Sequence, residues 1–307
     1  MQEQVTSNLL MIRPVNFAFN LETASTNTFQ QANDISGETL NSSAQECFDE
    51  LVAQLRLRDI NVHVFDDSPE PYTPDSIFPN NWISTHHSGK VMIYPMEAPS
   101  RRAERRQDIL DFLKSNYDFH VLMDLTQFEL DGKFLEGTGS LVLDRIHRIA
   151  YACISSRTHL EVLQAWQKLI DYELVTFEAF DEGGVPVYHT NVLMSMGDTF
   201  CVICLEAIRD PDQRLAVKQK LESTGKTVME LTMEQMNAFA GNMLLVRNKK
   251  GKHFLVMSDR AYASLTRDQI STMDYFAEIL HTDLGYIETA GGGSARCMIA
   301  EIHLPEK

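Results

Sequence analysis

Basic residues are scarce in this chain. Its 307 residues include 27 Lys and Arg against 43 Asp and Glu, a net charge of −16. A nucleic-acid surface needs a basic footprint against the phosphates, so that class of partner is excluded. Long apolar runs are missing too; none approaches the roughly 20 residues that cross a bilayer, and no membrane association is expected. The opening Met1-Gln2-Glu3-Gln4-Val5-Thr6-Ser7-Asn8 lacks the basic start and apolar centre of a signal peptide, and the protein is expected in the cytoplasm. Cysteines are few and odd in number. Cys47, Cys153, Cys201, Cys204 and Cys297 are scattered, which fits reduced thiols rather than a disulfide framework. Cys201 and Cys204 have the spacing of a metal knuckle, but no second pair exists. They also lie in an apolar strand, where residues three apart face opposite sides, so core thiols are expected. His86-His87 sits in a hairpin turn without further ligands. No metal and no cofactor are expected.

What is present is a repeat. Apolar residues make up 44% and charged residues 23%, the proportions of a soluble globular protein. Residues 9–19 read as a strand interrupted at Pro14, residues 43–58 as a helix with Cys47, Phe48, Leu51, Val52 and Leu55 on one face, and residues 61–65 as a strand. The same unit recurs downstream. Paired strands are expected at 77–85 and 90–95, a helix capped by Ser100 over 100–115, and a strand at 120–125. Hairpins at 134–143 with 149–154, 187–196 with 200–205, and 242–247 with 253–257 follow. Helices at 158–171, 212–223 and 266–280 come after these hairpins, with strands at 174–180, 227–231 and 285–289.

The hairpins open at Asn81, Gly139, Asn191, Asn242 and Arg296, about 51 to 58 residues apart, which is the signature of stacked or radial units. The last copy is completed by the N-terminal strand and helix. Shared ends imply a closed ring with strands inside and helices outside, spanning residues 1–307 as one domain. A doubly wound sheet with an appended domain explains neither the period nor the shared ends.

Residue types that carry chemistry collect at the mouths of these hairpins. They are Asp75-Ser-Ile-Phe78-Pro-Asn-Asn81-Trp, Leu135-Glu136-Gly137-Thr-Gly139, Tyr188-His189-Thr-Asn191, Phe239-Ala-Gly-Asn242 and Gly291-Gly292-Gly293-Ser-Ala-Arg296-Cys297. Consecutive glycines allow close approach to the backbone, here beside a thiol. A strand rather than a helix is expected after them, which argues against a phosphate loop. Their order resembles the guanidine-modifying, or pentein, superfamily: arginine and agmatine deiminases, dimethylarginine dimethylaminohydrolases and amidinotransferases. The resemblance covers nearly the whole chain and implies an α/β five-bladed ββαβ propeller. Pro95-Met-Glu-Ala-Pro-Ser-Arg101-Arg102 and Ser155-Ser-Arg157-Thr158 resemble the dimethylaminohydrolase branch.

That resemblance implies Cys297 as nucleophile, His189 as acid and base, and Glu136 as acceptor for substrate nitrogen and as the group orienting His189. Arg157 and Arg101 are expected on a substrate α-carboxylate, matched to their planar forks; Arg102 is the alternative to Arg101. Asp75 is assigned the α-ammonium, and Asn81 and Asn191 the reacting head. Otherwise the run from Arg101 to Arg106 reads as a solvated helix face. Arginine-directed members carry carboxylates where this chain has Asn81 and Asn191. A guanidinium presents only donors, whereas a ureido group has a carbonyl that needs one. The expected substrate is therefore a free ureido amino acid, citrulline, as in the citrulline-utilisation hydrolases of the superfamily. Dimethylarginine or arginine hydrolysis is the alternative, then amidino transfer, and last a ribosome-binding factor without chemistry. A homo-oligomer is compatible with all of these.

Overall fold

The computed structural model describes residues 3–32 and 35–307; Met1 and Gln2 of the opening stretch lie outside them. Among the described residues, fifteen strands are arranged as five three-stranded sheets. Strands β1 (Asn8–Arg13), β2 (Asn61–Asp66), β3 (Ile83–Thr85), β4 (Lys90–Ile93) and β5 (Val121–Asp124) come first. They are followed by β6 (Val142–Asp144), β7 (Ile149–Cys153), β8 (Glu173–Phe177), β9 (Met194–Met196) and β10 (Phe200–Ile203). The remaining strands are β11 (Thr227–Glu230), β12 (Leu244–Arg247), β13 (His253–Ser258), β14 (Glu278–Thr282) and β15 (Ala300–Glu301). Every sheet has one plan: a short strand antiparallel to a middle strand, which is parallel to a third. Parallel neighbours require a crossover, and a helix supplies it in each unit. These helices are α1 (Gly37–Leu57), α2 (Gln107–Asn116), α3 (Leu160–Leu169), α4 (Pro211–Ser223) and α5 (Arg267–Phe276).

The chain ends share a sheet, as the repeat requires. Leu9 pairs antiparallel with Glu301 and parallel with Val62, so β15, β1 and β2 form one unit. Helix α1 begins earlier than its apolar face suggests because Ser36 caps it, accepting the Thr39 N–H at 3.3 Å. It buries Leu40, Ala44, Phe48, Leu51, Val52 and Leu55, a stripe at helical spacing, while Cys47 is half-buried. Each large apolar side chain so buried contributes about 1.5–3 kcal/mol.

The first strands of three units are shorter than their apolar runs. Pro79–Asn81, Gly137–Ser140 and Thr190–Leu193 are single helical turns where extended chain is expected. These segments are buried because five stretches of the chain converge there, not because they form strand. Hydrogen bonds stitch turn to turn around the axis. Thr138 Oγ1 donates to Asn80 O at 3.3 Å, Thr190 Oγ1 to Ser140 O at 2.6 Å, and Asn242 Nδ2 to Asn191 O at 2.9 Å. The Arg296 N–H donates to Asn242 Oδ1 at 3.0 Å, and Thr85 Oγ1 to Glu301 O at 3.0 Å closes the circuit. The ring therefore fixes its own centre.

Two further expectations are corrected. The helix expected over residues 100–115 is broken into Pro99–Arg102 and α2, and Ser100 caps neither, its hydroxyl donating to Glu22 Oε2 at 2.7 Å. The strand expected at 285–289 is a helix, Gly285–Gly291; the true third strand is β14, just upstream. Ile287 and Ala290, three apart, bury one helical face there, and Gly292 ends the helix in the left-handed region at φ 63°. Among the described residues, no helix is long and apolar enough to cross a membrane.

Candidate active site

Cys297 lies in the turn that precedes β15 and is buried. Its N–H donates to Ser294 O at 2.9 Å, and the Asn242 carbonyl oxygen holds the preceding Arg296 N–H. Two side-chain amides reach the sulfur: Asn242 Nδ2 at 3.2 Å and Asn191 Nδ2 at 3.4 Å. Asn191 Oδ1 is buried and has no partner. Sequence reasoning named Asn242 as a hairpin mouth but gave it no role. Its position, equivalent to Asn81 and Asn191, was the available signal.

His189 precedes the third mouth's helical turn. Its Nε2 is 2.8 Å from Glu136 Oε2, and both residues are buried. An ionised carboxylate only accepts, so Nε2 carries the hydrogen and a neutral ring has its lone pair on Nδ1. Burial pushes His189 down to about 4, against the pull of Glu136. Burial alone would push Glu136 up; Arg157, His189 and Arg101 together outweigh it and hold this carboxyl well below the usual range. The other Glu136 oxygen accepts the Glu97 N–H at 3.0 Å. Gly139 lies under the imidazole, where a Cβ would come within 2.7 Å of His189 Nδ1 and clash with Asn81 Nδ2.

Both candidate arginines are buried, and Arg101 rather than Arg102 faces the pocket. The solvated-face reading of this run fails at Arg101 and Glu104, which are buried as a pair. Arg101 places Nε on Glu104 Oε1 at 2.9 Å and Nη2 on Glu104 Oε2 at 3.0 Å. Burial pushes Glu104 up to about 8 despite Arg101. Two donors on two oxygens suit the ionised carboxylate, and the ion pair is the state assigned here. Arg101 Nη1 also donates to Asn81 Oδ1 at 2.8 Å. Asn81 thus lines the pocket while its carbonyl serves Arg101. Arg102 lies outside, its Nε on Met96 O at 3.1 Å.

Arg157 Nη2 donates to Thr26 Oγ1 at 2.8 Å and to Thr23 O at 3.2 Å, and its guanidinium lies 4.8 Å over the Tyr188 ring. Its Nη1 and Arg101 Nη1 both approach Glu136 Oε2, at 3.6 and 3.7 Å. Asp75 accepts from Asn20 Nδ2 at 2.8 Å, while its Oδ1 is buried and unpartnered. Burial raises its carboxyl, against Arg101.

One pocket collects Asp75, Asn81, Arg101, Arg157, His189 and Cys297 with Phe78, Tyr188 and the backbone of Gly291, Gly292 and Gly293. Thr23 and Asn27, from the segment before α1, complete its lining; this cover was not anticipated. Asn27 Nδ2 donates to Gly291 O at 3.3 Å, and Gln30 Nε2 to Ala290 O at 3.0 Å. Glu136 and Asn191 stand immediately behind the wall, on His189 and Cys297. Among the described residues, no cluster of His, Cys, Asp and Glu is placed to hold a metal. The arrangement offers a thiol, an acid–base imidazole, amide donors and two guanidiniums around one small cavity.

Residues 13–304 match the family described as N,N-dimethylarginine dimethylhydrolase, eukaryotic. The N-terminal domain of ArgZ, described as an arginine dihydrolase from the ornithine–ammonia cycle in cyanobacteria and solved bound to substrate, superposes with a TM-score of 0.75 at 18% identity, covering 97% of this chain and 98% of that one. Unliganded AgrE superposes with a TM-score of 0.76 at 17% identity, over 98% of this chain and 40% of its own length. A dimethylarginine dimethylaminohydrolase variant, solved as its adduct with S-methyl-L-thiocitrulline, gives 0.64 at 13% identity, over 98% and 100%. These likenesses show the fold. No curated protein sequence matches the chain. The family match over nearly all its length, on five sheets of pentein plan, shows that the chain belongs to the dimethylarginine dimethylaminohydrolase family, pentein-fold hydrolases acting on carbon–nitrogen bonds other than peptide bonds.

Proposed function

We propose that the protein hydrolyses free citrulline to ornithine, carbon dioxide and ammonia, without a cofactor. The observation that carries this reading is the balance of the pocket wall: among the described residues Asp75 is its one carboxylate, against Arg101 and Arg157, and amides flank the thiol. A zwitterionic ureido amino acid matches that balance. Its α-carboxylate goes to the two guanidiniums and its α-ammonium to the unpartnered Asp75 Oδ1. The neutral head then lies at Cys297, with the unpartnered Asn191 Oδ1 as acceptor for its NH2 and the amide donors for its oxygen.

In this mechanism the Cys297 proton passes to His189 Nδ1 as the thiolate attacks the ureido carbon. The tetrahedral adduct collapses when the imidazolium protonates the departing nitrogen, and ornithine leaves. His189, neutral again, takes a proton from water. The resulting hydroxide attacks the S-carbamoyl carbon, the thiol is restored, and the released carbamate breaks down to carbon dioxide and ammonia. Five cysteines that are free thiols fit a reducing compartment, and a cytoplasmic location belongs to this proposal.

Arginine is the second reading. It is favoured by the ionised Glu136 one hydrogen bond behind His189, and by neighbours described as arginine dihydrolases. The test is incubation of purified protein with citrulline, arginine, dimethylarginine or agmatine, measuring ornithine, citrulline, putrescine and ammonia. Turnover of arginine with none of citrulline overturns the proposal. Full activity in Cys297→Ser overturns the covalent route for every substrate.

A further inference from the structure

Inside the ring, beyond the turns, the inner strands β6, β9 and β12 enclose a second cavity of about 20 Å³, enough for a water-sized or slightly larger guest. Its charged lining is Arg145, Arg296 and Glu301, with Gln4 at one side. Arg145 and Arg296 are buried. Glu301 Oε2 accepts from Arg296 Nη2 at 2.9 Å and lies 3.9 Å from Arg145 Nη2. Glu301 Oε1 accepts from His303 Nε2 at 3.0 Å, so the carboxylate is fully engaged.

The cations outnumber the anion. Arg145 has one side-chain hydrogen bond, Nη1 to Thr85 O at 3.3 Å, although a guanidinium carries five donors. The other titratable groups that interact with it are His86, His303 and Tyr94. Burial, with Arg145 next, holds His303 near 4, and burial holds His86 well below its ordinary range, so both imidazoles are neutral at pH 7. Burial also lowers Arg296, despite Glu301. One positive charge is thus left over in the lining of the cavity, a charge that a small counter-ion would balance.

We propose that this cavity binds a small monoanion of halide to bicarbonate size between Arg145 and Arg296. The anion completes the donor shell of Arg145 and links the β6–β7 hairpin to the turn that carries Cys297. It also bears on the nucleophile's surroundings. The Arg296 N–H holds Asn242 Oδ1, and Asn242 Nδ2 is on the Cys297 sulfur. The site is separate from the substrate pocket and does not depend on which substrate is turned over.

The experiment has three arms at constant ionic strength, with sodium gluconate, whose anion is too large to enter, replaced by chloride, bromide or bicarbonate. Thermal unfolding of the full chain is expected to shift upward saturably, by about 2–4 °C, with the smaller anion. Chloride and bicarbonate titrated separately show which source fills the site at lower concentration. Arg145→Met leaves Arg296 balanced by Glu301, and its unfolding should not respond to the anion. A crystal grown in bromide should show an anomalous peak within 4 Å of both guanidiniums, a readout independent of how the variant folds. An equal rise in Arg145→Met, or no bromide in the cavity, overturns the proposal.

Discussion

Glu136 Oε2 accepts the Nε2 hydrogen of His189 at 2.8 Å, and both side chains are buried. This contact fixes the ring so that Nδ1 is the nitrogen left to exchange protons. With His189 near 4, the free enzyme holds a neutral imidazole across the physiological range. The acid limb of kcat/KM is therefore expected near pH 4 rather than near 6.5, measured by ammonia release under initial-rate conditions. Glu136→Gln removes the group that pulls His189 upward and weakens the ring's orientation. Turnover should fall by about 10²- to 10⁴-fold, and a variant within threefold of the parent contradicts the assignment.

Folding stability should follow the same imidazoles. His189 and His303 are both near 4 in the folded protein, mainly through burial, against about 6.5 when unfolded. Because the folded values are depressed, this contribution is fully present above 6.5. Below 6.5 the unfolded chain binds protons that the folded chain refuses, so stability declines until about pH 4. Thermal unfolding between pH 7 and 4.5 should show a steady fall in Tm. A flat profile would mean that both rings take up protons in the folded state.

Gly139→Ala probes the crowding that holds the site. The added Cβ would press on His189 Nδ1 and on the Asn81 amide, both of which line the pocket. Destabilisation of about 1–3 kcal/mol is expected from urea titration, with activity lost more steeply than stability. Unchanged kinetics would show that the turns have slack that their mutual hydrogen bonds do not suggest.

The repeat was legible because each unit carries the same alternation of short apolar strands and one amphipathic helix, and because the tail lacks a partner unless the N-terminal strand supplies it. Cys297, His189 and Glu136 were legible as reactive types at equivalent mouths. Residues 77–82, 134–140 and 187–193 misled because burial at the ring's centre makes a turn as apolar and Gly-rich as a strand entrance. The segment from Asn20 to Gln30 gave no warning of its role. Its Thr23, Thr26 and Asn27 act through long-range contacts to Arg157 and Gly291, for which local sequence has no pattern. Glu104 was taken for solvated charge because pairing three residues from Arg101 is equally good on a surface; only burial distinguishes the two.

Substrate choice should turn on the amides. Asn81→Asp sets a carboxylate on Arg101 and adds negative charge to the pocket, and Asn191→Asp sets one beside the sulfur. The first should lower kcat/KM for citrulline by about 10- to 100-fold while raising arginine relative to it, since a cationic head gains an acceptor. The second should slow attack on either substrate, because a carboxylate near the sulfur opposes the thiolate. Competition assays with both amino acids read the ratio directly. An unchanged ratio in Asn81→Asp removes the amide argument for citrulline.

Glu104 holds Arg101 by two hydrogen bonds, and Arg101 is assigned to the α-carboxylate of the substrate. If Glu104 acts only through Arg101, Glu104→Gln should raise KM for citrulline several-fold with a smaller change in kcat. The cleaner measurement pairs this variant with N-carbamoylputrescine, the ureido amine that lacks the carboxylate. Losing that carboxylate should cost the parent enzyme about 1.5–3 kcal/mol of kcat/KM, the range for a hydrogen bond to a charged group. The same loss should be smaller in Glu104→Gln and smaller again in Arg101→Met, where Arg157 alone is left to hold the carboxylate. Equal losses in all three proteins would place the carboxylate elsewhere, with Arg157 as the remaining buried guanidinium in the pocket.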